Sequence, residues 1–203
     1  CPVAEPGFDL DPNTDWASGN TPIGGCVHQG RVFLYGAAGN PFTMYASDPA
    51  DHEDFRTATA ATRRYQVDSS VGERIMAATV YEGLLHIWKY PLGIFYLDDA
   101  DLTSANWGIY RKSGAIGCAN SPHAVLPMDD DVMFLDANGQ FHLLSAVSTL
   151  GGTKGSNLSE HLGIADWMRE RVAIQSLETV SSYWDSHLKI AYWGLPVGSG
   201  TRP

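Results

Sequence analysis

Asp131-Val132-Met133-Phe134-Leu135-Asp136-Ala137-Asn138-Gly139-Gln140-Phe141-His142-Leu143-Leu144 carries the cleanest hairpin pattern in the chain. The runs Asp131 to Leu135 and Gln140 to Leu144, rich in β-branched, aromatic and aliphatic residues, flank Asp136-Ala137-Asn138-Gly139. Such side chains suit a pleated surface, and Asn-Gly supplies the positive φ angles that a tight reversal demands. The segment predicts a hairpin of two antiparallel strands. A third strand is predicted at His123 to Pro127, before the turn Met128-Asp129-Asp130.

The same theme recurs outward from this hairpin. Upstream, Ile75 to Tyr81 turns at Glu82-Gly83 into Leu84 to Lys89, then at Tyr90 to Gly93 into Ile94 to Leu97, with an outer strand at Trp107 to Arg111. Earlier still, Ile23 to Val27 leads through His28-Gln29-Gly30 into Arg31 to Tyr35, and through Gly36 to Pro41 into Phe42 to Tyr45. Downstream, Ala173 to Tyr183 turns at Trp184-Asp185-Ser186 into His187 to Tyr192, where a further partner strand is missing. Aligning Val32, Leu84, Val132 and Leu188 gives a repeat of about 50 residues, a period found in propeller blades. The expectation is an all-β fold of β-propeller-like repeats of antiparallel strands with one short helix. The pattern alone also permits a β-sandwich.

Residues 1–22 are rich in Pro, Gly, Asp and Asn and read as an extended lead-in. Residues 23–203 then form a partial propeller-like domain of four blade-like units, the last incomplete. The helix is expected near 157–171, its apolar side made by Leu158, Leu162, Ile164, Ala165 and Met168, with Ser156, Asn157 or Ser159 available as the cap. Because the chain opens with Cys1 and stops at Thr201-Arg202-Pro203, it reads as a fragment.

With 203 residues, 44% hydrophobic and 18% charged, the chain has the composition of an ordinary globular protein. No run approaches the roughly 20 apolar residues that cross a bilayer, and the N-terminus lacks a signal-peptide layout, so no membrane role is expected. The net charge is −10, and Arg63-Arg64 is the longest basic run. That balance argues against gripping nucleic acid, which depends on clustered cations releasing counterions. It suits a conduit through which DNA slides without sticking.

Several of these pieces, in order, resemble a family of propeller-bearing structural proteins of tailed bacteriophages, found around the tail tube, nozzle or head-to-tail region. Arg31 to Gly36, Asn40-Pro41 and Tyr45-Ala46-Ser47-Asp48-Pro49 with Asp51 and Phe55 are similar to the family's strand, turn, strand and following loop. Ile75 to Leu97 resembles its next blade. Gly117-Cys118, Ser121-Pro122-His123, Asp131 to Asp136 and Gly139 resemble its third unit, and the likeness runs on through Leu158-Ser159, covering about Gly25 to Tyr192. The insert Gly151-Gly152-Thr153-Lys154-Gly155 and the incomplete last blade depart from it.

This resemblance implies a non-catalytic virion component, assembled in the bacterial host cytoplasm and lodged in the phage tail. Its implied partners are other phage tail or head-to-tail proteins, copies of itself in a homo-oligomeric ring, and phage DNA in passing. The alternatives are a glycan-binding or glycan-hydrolysing β-propeller and a generic protein-interaction scaffold.

Chemistry-bearing patterns are sparse. Asp98-Asp99 with Asp101, and Asp129-Asp130-Asp131, lack the alternating ligands, glycine and closing glutamate of a calcium loop. His28, His52, His86, His123, His142, His161 and His187 show no paired spacing on a helix, although His86, His142 and His187 fall in predicted strands. Cys1, Cys26 and Cys118 are expected to be reduced, partly buried thiols. No Ser sits in Gly-x-Ser-x-Gly, and Ser47-Asp48-Pro49 predicts a local side-chain-to-backbone turn. Gly151 to Ser156 lacks a phosphate loop's Gly-Lys-Ser/Thr ending and reads as a connector. Trp107 and Trp184 either anchor subunit contacts or close their own blades. No catalytic residue, cofactor or metal ligand is assigned.

Overall fold

The computed structural model describes residues 15–16, 20–56, 63–101, 103–150 and 157–198. It is mainly β, with four small antiparallel sheets and a few short helices. In chain order, the first sheet holds β1 (Gly24–His28), β2 (Arg31–Tyr35), β3 (Thr43–Ala46) and β4 (Arg63–Gln66). The second holds β5 (Arg74–Tyr81), β6 (Leu84–Tyr90), β7 (Ile94–Asp98) and β8 (Gly108–Ser113). The third holds β9 (Val125–Pro127), β10 (Val132–Leu135) and β11 (Phe141–Leu143), and the fourth only β12 (Ser181–Asp185) and β13 (Ile190–Gly194). Each predicted unit falls on one sheet.

The tight turns form where the local chemistry demands them. Gln29 and Gly30 have φ of 48° and 66°, and Glu82 and Gly83 have φ of 50° and 78°. Two consecutive left-handed residues reverse the chain with the twist that flanking strands need, so His28 pairs with Arg31 and Tyr81 with Leu84. The Asp136-to-Gly139 reversal differs from its prediction, since only Gly139 of this turn has positive φ. There the Asp136 carboxylate accepts the Asn138 and Gln140 amides at 2.9 and 2.8 Å, so a side-chain cap shapes the loop instead.

Packing runs through the sheets in sequence. Phe33, Tyr35, Met44 and Tyr65 of the first sheet meet Ile75, Leu85, Ile87, Phe95 and Leu97 of the second in one buried cluster. The opposite face of the second sheet, with Met76, Ala77, Trp88 and Ile94, packs on Val125, Val132 and Phe134 of the third. Burial on both faces explains why β5 and β6 read as near-continuous apolar runs. The first strands lie together: β5 touches both β1 and β9, and β9 touches β12. Trp16, from the predicted lead-in, is buried against Tyr45 and Phe55 on the far face of the first sheet.

Three expectations are corrected. The single helix near 157–171 is two, α2 (Leu158–His161) and α3 (Ala165–Arg171), because Gly163 at φ 69° breaks the run and leaves Leu162 exposed. A further helix, α1 (Leu144–Leu150), follows β11 directly. In the fourth unit, residues 174–179 form a 3-10 turn in place of a strand, with Ala173, Leu177 and Val180 buried at a spacing of three to four residues. Its reversal lies at 186–189, where the Asp185 carboxylate caps the His187 and Leu188 amides at 3.0 and 2.9 Å and Lys189 has φ 57°. Leu188 therefore sits in a turn, and Trp184 and Asp185 belong to β12. Among the described residues, no helix is long and apolar enough to cross a membrane.

Candidate functional site

A pocket of about 470 Å³ opens where the second and third sheets meet. One wall is apolar: Pro91 and Leu92 from the β6–β7 turn, and Ala115, Ile116 and Gly117 from the segment after β8. Backbone bonds from Gly93 to the Ile116 carbonyl, 2.9 Å, and from Cys118 to the Lys89 carbonyl, 3.0 Å, hold these two segments together. A Cβ on Gly117 would stand 2.2 Å from the Lys89 carbonyl oxygen, so only glycine permits the approach.

The facing wall is polar and comes from the β10–β11 loop, β11 and the start of α2. Asp136 is held from three sides: Oδ1 takes the two loop amides, and Oδ2 accepts from His142 Nε2 at 3.2 Å. The His142 ring is stacked on Phe134, with centroids 5.3 Å apart. Asn157 Oδ1 accepts the Glu160 amide at 3.2 Å, leaving the Glu160 side chain exposed at the pocket. Gln140 is 7% exposed; its Nε2 donates to the Gly139 carbonyl at 3.2 Å, while its Oε1 has no partner among the described residues. Among the described residues, the lining contains no Lys or Arg.

A second feature is the outer face of the fourth sheet. Its inner face spends Trp193 on Phe141, with centroids 4.8 Å apart, and Trp184 donates to Asp129 at 2.9 Å. On the outer face Tyr183 and Tyr192 are cross-strand partners with rings 6.4 Å apart, flanked by Ile190 and by Leu188 of the turn. Their exposures are 63%, 48%, 44% and 56% in that order. Together they form an exposed cluster of large side chains, the kind of patch that is often functional on a monomer.

The remaining sequence candidates are engaged locally. Asp98 caps the Ala100 amide at 3.2 Å, Asp99 accepts from His28 at 2.5 Å, and Asp101 accepts from Thr103 and Asn106 at 2.7 and 2.9 Å. Asp129 binds Trp184 and Lys189, and Asp131 accepts from Val132 and Ser145. Among the described residues, no group of three or more His, Cys, Asp or Glu is placed to hold a metal. His86 and His142 lie in strands, but His187 lies in the β12–β13 turn, a correction to its predicted place. Asp48 Oδ1 caps the Ala50 amide at 2.7 Å, the turn expected of Ser47-Asp48-Pro49.

Cys26 and Cys118 are free thiols, and burial pushes Cys26 up to about 12 and raises Cys118 as well. Trp107 stacks on Tyr65 of the first sheet at 6.4 Å and donates to the Asp101 carbonyl at 2.7 Å, so it is engaged within the chain, across the seam between the first and second sheets. Cys1 and the connector Gly151 to Ser156 lie outside the described residues.

Sequence reasoning missed both the pocket and the tyrosine pair. Strand alternation around Tyr183 and Tyr192 was a usable signal for the second; nothing local signals the first, because its walls are 45 residues apart between Pro91 and Asp136. Compared with models of known protein families and with curated proteins, the chain finds no match.

Proposed function

We propose that the chain is a non-catalytic building block of a tailed-bacteriophage virion, in the tail or head-to-tail nozzle, with its four sheets as propeller-like units. The carrying observation is the fourth sheet: two strands, one face spent on the core, and an outer face presenting Tyr183, Leu188, Ile190 and Tyr192. Aromatic anchors of this kind are what subunit interfaces bury. A neighbouring copy in a ring, or another tail protein, covers that face.

Two further observations support the reading. Successive sheets are meanders whose first strands adjoin, the order in which blades gather around an axis. The net charge of −10 leaves phage DNA in passing contact at most. Glycan hydrolysis has less support: among the described residues the pocket holds two carboxylates, and Asp136 is taken up by two loop amides and His142.

Light scattering on the full chain over a concentration series tests the reading. Concentration-dependent oligomers are expected, and Tyr192→Asp should weaken association by about tenfold or more, the scale of a buried aromatic anchor, without lowering the melting temperature. A chain that stays monomeric throughout, or that is missing from purified phage particles by peptide mass spectrometry, sinks the proposal.

A further inference from the structure

We infer that the pocket between the second and third sheets is a receptor for a guanidinium or ammonium group on an aliphatic stem, the chemistry of an arginine or lysine side chain. The inference stands apart from the virion reading, since it uses none of the residues on the fourth sheet.

The polar wall offers acceptors. Glu160 brings an exposed carboxylate to the opening, and Asp136 places a second negative charge in the lining. Gln140 adds a buried amide oxygen without a donor. Its orientation is fixed, because exchanging Oε1 and Nε2 would set an oxygen 3.2 Å from the Gly139 carbonyl oxygen. An unmade bond at a buried acceptor costs free energy, which a donor-bearing ligand recovers after a small turn of that amide.

A cation fits these acceptors better than a neutral donor does. Among the described residues the lining holds no Lys or Arg to oppose it, and the chain as a whole carries −10. Long-range attraction therefore brings positive groups toward this surface. The other wall, Pro91, Leu92, Ala115, Ile116 and Gly117, offers apolar surface of the kind that the methylene stem of Lys or Arg covers while its head group remains hydrogen-bonded. A planar guanidinium has donors enough to meet the Glu160 carboxylate and the Gln140 oxygen at once.

Calorimetric titration of the full chain at low salt with N-acetyl-arginine methylamide tests this, with the matching lysine and citrulline derivatives and free glucose as comparisons. Citrulline keeps the stem and shape but carries no charge. Saturable millimolar binding of the arginine compound is expected, about tenfold tighter than citrulline. Glu160→Gln, an exposed change that leaves the fold intact, should weaken it about threefold, the scale of one exposed ion pair. Gln140→Leu should weaken it further, and its melting curve separates lost binding from lost folding. Equal binding of citrulline, preference for glucose, no effect of Glu160→Gln, or no saturable binding at all each overturn the inference.

Discussion

The Arg31 guanidinium donates to the Ser104 hydroxyl at 3.0 Å, joining two residues 73 positions apart across the seam between the first and second sheets. The same group donates to the Ser47 carbonyl at 2.5 Å and lies 6.0 Å from the centre of the Trp107 ring. Tyr65 closes the seam by donating to the Ser104 carbonyl at 2.9 Å. Burial lowers the Arg31 pKa, so these donors repay a real desolvation cost.

Arg31→Met should therefore destabilise the protein by about 2–3 kcal/mol, because it leaves the Ser47 and Ser104 oxygens without their donor in a buried seam. Arg31→Lys should recover less than half, since one ammonium cannot reproduce the fork. Urea midpoints at unchanged slope measure both. A loss below about 0.5 kcal/mol in Arg31→Met would show that the seam does not depend on this residue.

His86 gives the fold an acid-side sensitivity. Its Nδ1 donates to the Leu84 carbonyl at 3.2 Å, and its Nε2 accepts from the Lys112 ammonium at 3.2 Å, among the rings of Tyr81, Trp88 and Tyr96. Burial first, and then the positive charge of Lys112, lower its pKa from 6.5 to about 4. Between those values the unfolded chain binds a proton that the folded one refuses, so stability falls as pH drops from 6.5 toward 4. The loss should approach roughly 3 kcal/mol at the lower end. His86→Gln should flatten that slope in denaturant titrations between pH 7 and about 4, and an unchanged slope would remove His86 as its source.

Two glycines should respond differently to the same added methyl. At Gly117 the new Cβ meets the Lys89 carbonyl oxygen at 2.2 Å and Leu92 backbone atoms at 2.7 Å, and backbone cannot step aside cheaply. At Gly83, φ is 78° but nothing lies within 4 Å. Gly83→Ala should cost about 1–2 kcal/mol for a left-handed residue, while Gly117→Ala should cost at least about 3 kcal/mol and disturb the pocket wall. Thermal melts of the two variants give the comparison, and equal costs would contradict the close approach.

The legible parts of this fold are those whose cause is local. The Gln29-Gly30 and Glu82-Gly83 reversals, and the strands they join, follow from residues that tolerate positive φ beside runs suited to a pleated sheet. β4 escaped notice because Arg63-Arg64-Tyr65-Gln66 carries one buried side chain, Tyr65, in an otherwise polar edge. Residues 174–179 form a 3-10 turn in place of the expected strand because Leu177 and Val180, three residues apart, share one face of a helical turn and both enter the core, whereas a strand would point them to opposite faces. The break at Gly163 was readable from the glycine, yet the apolar spacing on either side hid it.

Local side-chain chemistry set the succession of four β-rich units and most of their turns, because pairing between neighbouring strands depends on side chains a few residues apart. Everything that joins one unit to another came instead from packing between the sheets. The burial of Arg31, the approach of Gly117 to Lys89, the pocket shared by Leu92 and Gln140, and the outward face of Tyr183 and Tyr192 all depend on how sheets stack. Those contacts bring distant segments together through non-directional burial of apolar surface, which many residue combinations satisfy equally, so no short stretch of the chain announces them.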